Sequence, residues 1–223
     1  NPVNSSSYVT GMSDAPHGSF VRVYHLNAGE TGGGFNEVIT TFTPLPTVYY
    51  RCYIKYDSNW VFGRTQKAIQ IFAGTYVSPN NVDLAVYCQP DFVIGGDTRE
   101  FIIVHYRGSS GAADVILRQN QGIRVAMSKN RWYSVEIGIR TNTPGIADGV
   151  ASMWIDGVLK LDHAGQLFRN TAIQFHVCAH NSFMNDGAPA TQDVYYDAFV
   201  VSSNYIGPVA RGSAPVAPTG LRI

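Results

Sequence analysis

Four side chains that can titrate, ligate a metal, or donate and accept hydrogen bonds alternate along one predicted strand of this chain. Gln174, His176, Cys178 and His180 take every second position of residues 172–180, and the positions between them are apolar. Because successive side chains of a β-strand point to opposite faces of its sheet, the two sets should lie on different faces. The pattern predicts a strand whose apolar face packs on a core and whose polar face lines a groove.

Metal binding and thiol chemistry are both disfavoured within this stretch. A spacing of four residues along a strand separates the side chains of His176 and His180 by roughly 13 Å, too far for both to ligate one ion. Cys178 has no neighbouring residue that would activate a thiol, so it is predicted to pack in the core. Gln174 and His176 remain as candidate ligand contacts.

Three other predicted strands also carry polar side chains on alternate positions. We expect their polar faces to be collected on one sheet together with Gln174 and His176. The set is rich in Arg, His and Tyr, whereas ordinary solvent-facing strands carry mostly Thr, Ser, Lys and Glu. The alternating groups are Arg51, Tyr53 and Lys55; Ile103, His105 and Arg107; and Ser134, Glu136 and Arg140.

The composition excludes several classes of function. Lys and Arg together number 16, as do Asp and Glu, so the chain lacks the basic field that broad nucleic-acid binding needs. It has no run of 18 apolar residues, so no membrane insertion is predicted. Its three cysteines are too few and too widely spaced for a disulfide framework.

The spacing of turn-forming residues along the chain predicts an all-β fold, a two-sheet antiparallel β-sandwich. Short segments separated by Gly, Pro, Asn and Asp show no sustained helical periodicity, and Asp156-Gly157 is a tight hairpin turn. Residues 1–207 are predicted to form this sandwich, and the Pro/Ala-rich residues 208–223 a linker leading toward a further module. The predicted strands are 19–24, 36–42 (ended by Pro44 and Pro46), 48–56, 67–72, 82–88, 100–107, 114–118, 123–127, 132–141, 151–155, 158–161, 171–180 and 194–201.

Several stretches resemble concanavalin A-like jelly-roll domains, the group that includes laminin G-like domains and polysaccharide lyases. Residues 132–136 (WYSVE), 142–145 (NTPG), 148–149 (DG) and 153–157 (MWIDG) carry the resemblance. Residues 195–202 and 205–208 resemble the closing strand of such domains, and 53–61 their first long strand. Residues 217–223 resemble the start of a fibronectin type III module. The resemblance implies two antiparallel sheets, one of them with a concave face that binds saccharide.

The resemblance implies a carbohydrate-recognition domain of a secreted or cell-surface multimodular protein, with a polysaccharide or oligosaccharide as its partner. The first alternative is a lyase that cleaves a uronic-acid polymer by β-elimination, and the second is a structural or adhesive surface domain. Hydrolases of this fold carry alternating carboxylates that this sequence lacks, and glycoside hydrolysis needs a carboxylate pair. Binding and catalysis both stay open at this stage.

Residue roles follow for each function. In a lyase, Gln174 and Arg107 would neutralise the substrate carboxylate, His176 or His105 would be the base, and Tyr53 the acid. Saccharide contacts are expected from Arg51, Lys55, Glu136 and Arg140. The resemblance also implies a structural Ca²⁺, for which Asp197 is the candidate ligand.

Overall fold

A computed structural model describes residues 5–16, 21–29, 38–62, 66–73, 84–93, 99–106, 115–120, 124–184 and 187–209. All its regular secondary structure is β. The strands are β1 (Ser5–Val9), β2 (Val21–Leu26), β3 (Val38–Leu45), β4 (Thr47–Tyr56), β5 (Gln66–Ala73), β6 (Leu84–Val93), β7 (Arg99–Tyr106), β8 (Val115–Leu117), β9 (Tyr133–Arg140), β10 (Gly149–Ile155), β11 (Val158–Gln166), β12 (Phe175–Met184) and β13 (Gln192–Ser202).

The strands form two antiparallel sheets. The seven-stranded sheet has the order β1-β2-β13-β4-β9-β10-β11, and the six-stranded sheet has the order β3-β12-β5-β6-β7-β8. The two sheets pack face to face around one apolar core. The prediction of an all-β antiparallel jelly-roll sandwich is therefore confirmed. Among the described residues, no helix is long and apolar enough to cross a membrane.

Alternation along β4 and β9 builds one half of the core. Val48, Tyr50, Cys52, Ile54 and Tyr56 of β4 all belong to the core cluster, as do their counterparts on β9, Tyr133, Val135, Ile137 and Ile139. Every second residue of these two strands therefore faces outward, as the sequence pattern predicts. Cys52, Cys88 and Cys178 are buried free thiols in this core, and burial raises the pKa of each of them.

Most predicted strands are present, with three differences. β1 was not predicted, and residues 123–127 contribute only an isolated bridge between Ala126 and Glu100. Pro44 lies inside β3 rather than ending it, which the sheet tolerates because β3 is an edge strand. The hairpin turn is confirmed, since Asp156 and Gly157 have φ values of 52° and 78° between β10 and β11.

The predicted orientation of β12 is right for Phe175 and for the core packing of Cys178, and wrong for Val177, Ala179 and His180. Cys178 and His180 point into the core, where both are buried, whereas Val177 and Ala179 are buried but lie outside the core cluster. Phe175 also belongs to the core, so strict alternation is broken between Phe175 and Cys178. The pairing of β12 with β3 has a register shift at this point, between Phe175 and Val177. A bulge of this kind moves the following side chains to the other face.

Candidate functional site

Four of the predicted contact residues share the outer face of the seven-stranded sheet. Arg51, Tyr53 and Lys55 alternate with core residues of β4, and Glu136 is paired with Arg51 on the adjacent β9. Although they face away from the core, all four are at least 91% buried. Two segments near the chain ends cover them, residues 11–16 and residues 203–209.

Arg51 and Glu136 hold the C-terminal segment at Gly207. The carboxylate of Glu136 accepts hydrogen bonds from the backbone N–H groups of Ile206 (2.8 Å) and Gly207 (2.9 Å). Arg51 donates through Nη1 to the carbonyl oxygen of Gly207 at 2.6 Å. Burial raises the pKa of Glu136, against the opposing effect of these hydrogen bonds and of Arg51. We call Arg51, Glu136 and residues 206–207 the C-terminal clamp.

Tyr53 and Lys55 bind the covering segments in the same way. The hydroxyl of Tyr53 accepts a hydrogen bond of 2.8 Å from the N–H of Val209. The ammonium of Lys55 lies 2.8 Å from a carboxylate oxygen of Asp14, and that hydrogen bond lowers the pKa of Asp14. The ammonium of Lys55 also lies 5.1 Å from the ring centres of Trp132 and Tyr195. These polar groups thus form their hydrogen bonds and ion pairs within the protein itself.

The remaining predicted residues do not join this group. Arg140 is exposed at the end of β9 and donates to the carbonyl oxygen of Asp148 at 2.9 Å. His105 is fully buried on the core side of β7, with its ring 4.9 Å from that of Phe168. His176 is half-buried on β12 in the six-stranded sheet, with Nδ1 3.5 Å from the carbonyl oxygen of Gln174. Arg107 lies outside the described residues.

The predicted polar groups are therefore divided between two sheets and do not form one cleft. Tyr53 and His176 stand on different sheets, and His105 is enclosed between the sheets. One saccharide linkage cannot reach all three side chains. The arrangement of Tyr53, His105 and His176 around a single substrate is not present in this structure.

Asp197 is buried on β13, where Oδ1 accepts a 2.7 Å hydrogen bond from the N–H of Ala198. Ala198 has a positive φ of 51°, which this local bond helps to hold. The described residues contain no group of three or more His, Cys, Asp or Glu side chains placed to hold a metal ion.

The Ca²⁺ expected at Asp197 stays a prediction that thermal melting can test. A lower melting temperature in chelator that disappears in Asp197→Asn would support the ion. An unchanged melting temperature would leave Asp197 with a purely structural role.

The outer face of the six-stranded sheet carries a second set of buried residues. Phe72, Ile102, Val104, Val177 and Ala179 are at least 92% buried, yet none belongs to the core between the sheets. They are next to core-facing neighbours on β5, β7 and β12, so they face the other way. At these five positions the outer face is therefore shielded from bulk solvent.

A row of residues in register crosses this face. Ala179, Gln70, Tyr87, Val104 and Ile116 are successive partners across β12, β5, β6, β7 and β8. Gln70 is the buried polar side chain of the row, 8% exposed. An amide among apolar side chains can donate and accept hydrogen bonds at once, as hydroxyl and carboxylate groups of a sugar require. We call this set the outer row.

Two arginines flank a buried carboxylate at the end of this sheet. Glu100 of β7 is fully buried, with its oxygens 3.7 Å from Arg118 Nη1 and 3.5 Å from Arg124 Nε. Burial raises the pKa of Glu100, and the two arginines oppose that shift. The side chains of Arg118 and Arg124 are 37% and 31% exposed. Two cations with one anion leave a net positive charge that solvent reaches, so this edge suits an anionic ligand.

Gln70, Arg118 and Arg124 are not among the residues predicted from the sequence. Gln70 lies within an otherwise apolar run, Ala68-Ile69-Gln70-Ile71-Phe72, and a single amide inside such a run is the signal that could have marked it. Arg118 and Arg124 are six positions apart in the sequence. Only the tertiary structure brings both to Glu100.

The fold is that of solved polysaccharide lyases. The structure of alginate lyase Aly36B has 16% sequence identity, a TM-score of 0.65 and a match over 90% of this chain and 97% of that one. An endo-β-1,4-glucuronan lyase from the fungus Trichoderma reesei has 13% identity, a TM-score of 0.65 and coverage of 90% and 87%. Alginate lyase vAL-1 from Chlorella virus has 14% identity, a TM-score of 0.61 and 90% coverage of both chains.

No family model and no curated protein sequence matched the chain. The resemblance to jelly-roll domains of the lyase type is therefore supported by structure alone. The predicted fibronectin type III start, residues 217–223, lies outside the described residues, and none of these comparisons supports it.

Proposed function

We propose that this protein is a polysaccharide lyase that cleaves a uronic-acid polymer on the outer face of its six-stranded sheet. The observation that carries the proposal is the outer row with the buried amide of Gln70, on the same sheet as Glu100 and its two arginines, Arg118 and Arg124. An extended anionic chain suits such a sheet because the arginines attract its carboxylates. The fold shared with alginate and glucuronan lyases supports this choice over binding alone.

β-Elimination on a uronate needs three contributions. The substrate carboxylate must be neutralised so that the C5 proton becomes acidic, a base must remove that proton, and an acid must protonate the leaving oxygen. We assign the first to Gln70, assisted by the charge of Arg118 and Arg124. Tyr87, at the register position between Gln70 and Val104, is assigned as the acid, and His176 as the base.

Replacing Gln70 by Ala or Tyr87 by Phe is expected to abolish most of the lyase activity. For Tyr87, loss of a group that transfers a proton costs a factor of about 10² to 10⁴. For Gln70, loss of a hydrogen-bond donor that stabilises the developing charge costs a factor of about 10² to 10³. The measurement is the absorbance of the unsaturated product with alginate and with glucuronan. Tyr53→Phe is the matched control, because its hydroxyl accepts a backbone hydrogen bond on the opposite sheet. We expect that variant to keep its activity.

Different outcomes separate the candidate functions. Full activity in Gln70→Ala and Tyr87→Phe would reject this site, and activity lost in Tyr53→Phe alone would move the site to the seven-stranded sheet. If the protein binds uronates at the outer row without eliminating them, it is a carbohydrate-recognition domain. A uronate polymer outside the cell as substrate would agree with the secreted or cell-surface location we propose.

A further inference from the structure

Three aromatic rings form a cluster on the opposite sheet, far from the outer row. Trp154 of β10 lies between Tyr49 of β4 and Tyr205, with ring-centre distances of 6.0 Å and 4.9 Å. Tyr49 and Tyr205 are 6.5 Å apart, and the rings meet at angles of 41° to 77°. Tyr205 is 46% exposed, and Tyr49 and Trp154 are half-buried. The three rings therefore present a bent aromatic surface to solvent, which we call the aromatic platform.

A glycine allows the platform to lie close to the sheet. A Cβ added at Gly138 would stand 2.7 Å from Cε1 of Tyr49 and 3.1 Å from Cζ3 of Trp154. Both rings thus extend across the space that a side chain at this position would fill. The rings of Tyr49 and Trp154 therefore rest over the backbone of β9, and Tyr205, which contacts both, is the most exposed of the three.

The C-terminal clamp fixes the third ring. Tyr205 precedes Ile206 and Gly207, whose N–H groups are bound by Glu136, so the backbone next to the ring is held to the sheet. A rigid aromatic surface loses little conformational entropy when a ligand stacks on it. The buried polar network of this sheet therefore also serves to position Tyr205.

Hydrogen-bonding groups stand beside the rings. Ser152 is the cross-strand partner of both Gly138 and Asp162, and its hydroxyl donates to Oδ1 of Asp162 at 2.7 Å. Asp162 is exposed, so its carboxylate can also accept hydrogen bonds from a ligand. Rings that stack on a sugar, together with a carboxylate that accepts from its hydroxyls, are the groups that recognise a pyranose.

The charges around the platform distinguish its ligand from a polyuronate. Arg51 is paired with Glu136 across the strands, Lys160 stands two residues from Asp162 on β11, and Arg140 donates to the backbone of Asp148. Among the described residues, these cations and anions are therefore equal in number, three of each. The edge at Glu100, in contrast, has two arginines for one carboxylate. A surface without net charge gives no electrostatic preference for an anionic chain.

We infer that Tyr49, Trp154 and Tyr205 form a second saccharide-binding site, which takes a neutral polysaccharide of hexopyranose units. The site lies on the opposite sheet from the outer row and involves no catalysis. It would hold the protein on a neutral polymer. The inference does not depend on the proposed lyase activity.

Affinity electrophoresis tests this site with hydroxyethyl cellulose, galactomannan and soluble starch as neutral probes and alginate as the anionic one. We expect at least one neutral polymer to retard the protein, and Trp154→Ala or Tyr205→Ala to weaken that binding about tenfold or more. Tyr8→Ala is the matched control, because Tyr8 is an exposed ring (57%) at the edge of the same sheet. Retardation of this variant should be unchanged.

Three outcomes would overturn the inference: no retardation by any neutral polymer, retardation that persists in both platform variants, or a loss of retardation in Tyr8→Ala equal to theirs. A dimer in light scattering that Trp154→Ala dissociates would show that a second copy of the chain covers the rings instead. Alginate cleavage is measured in parallel. Cleavage that survives Trp154→Ala separates the failure of this site from the failure of the proposed lyase function.

Discussion

Replacing Glu136 by alanine is expected to lower the free energy of unfolding by about 3 kcal/mol, because it leaves two N–H groups without their acceptor. The N–H groups of Ile206 and Gly207 lose their bonds to the carboxylate. Arg51, which is 4% exposed, also loses the neighbouring negative charge. Urea denaturation followed by fluorescence measures the change, with the slope of the transition checked for two-state behaviour.

Two control variants define what the carboxylate contributes. Glu136→Gln keeps one acceptor oxygen and should lose roughly half as much stability as Glu136→Ala. Asp162→Ala removes an exposed carboxylate from the same sheet and should change stability by no more than about 0.5 kcal/mol. A loss below about 1 kcal/mol in Glu136→Ala would mean that the C-terminal clamp does not stabilise the sandwich. Proteolysis within residues 203–209 offers an independent readout, since the released segment should be cut faster.

The sequence predicts side-chain orientation well only where a strand has one buried and one polar face. In β4, the core residues Cys52 and Ile54 alternate with Arg51, Tyr53 and Lys55, and the structure follows that alternation. In β7, both faces are buried. Phe101 and Ile103 face the core, and Ile102 and Val104 lie on the outer face, where they are also buried. The alternation then does not indicate which side chains face the core. The prediction that His105 lies on a polar outer face is therefore wrong.

The position of the candidate site could not be predicted from the sequence for a second reason. Which strands share a sheet depends on pairing between residues far apart in the chain. β4 pairs with β9 and β13, whereas β12 pairs with β3 and β5. Arg51 and His176 were expected on one surface, but these pairings put them on different sheets. The same pairings bring Gln70 into line with Ala179 and Tyr87, which local patterns do not indicate.

His180 is a histidine that the fold keeps neutral. Its Nδ1 lies 3.0 Å from the hydroxyl of Tyr50, and its ring stacks on Phe199 at 4.3 Å and contacts Tyr196 at 5.0 Å. Burial, with a smaller contribution from the charge of Arg22, lowers its pKa from 6.5 to about 3. The charged groups that would favour an imidazolium are absent from these contacts. Protonation of His180 is therefore strongly coupled to unfolding.

Between about pH 6.5 and about pH 3 we expect this histidine to make stability rise with pH. In that range the unfolded chain binds a proton at His180 and the folded protein does not, so acid favours unfolding. Each pKa unit of difference is worth about 1.4 kcal/mol. The stability present above pH 6.5 should therefore fall by roughly 4 to 5 kcal/mol as the pH is lowered through this range.

The test compares the pH dependence of unfolding in the unmodified protein and in His180→Phe. Phenylalanine keeps the volume and the ring contact with Phe199 but cannot bind a proton, so the variant should lose less stability between pH 7 and pH 3. Tyr50→Phe removes the hydroxyl but leaves the imidazole buried, and we expect it to keep the full slope, because burial is the main cause of the low pKa. Equal slopes in His180→Phe and the unmodified protein would show that another group controls acid unfolding. If the pH dependence of stability disappears in Tyr50→Phe, the hydrogen bond and not burial is the main cause of the low pKa of His180.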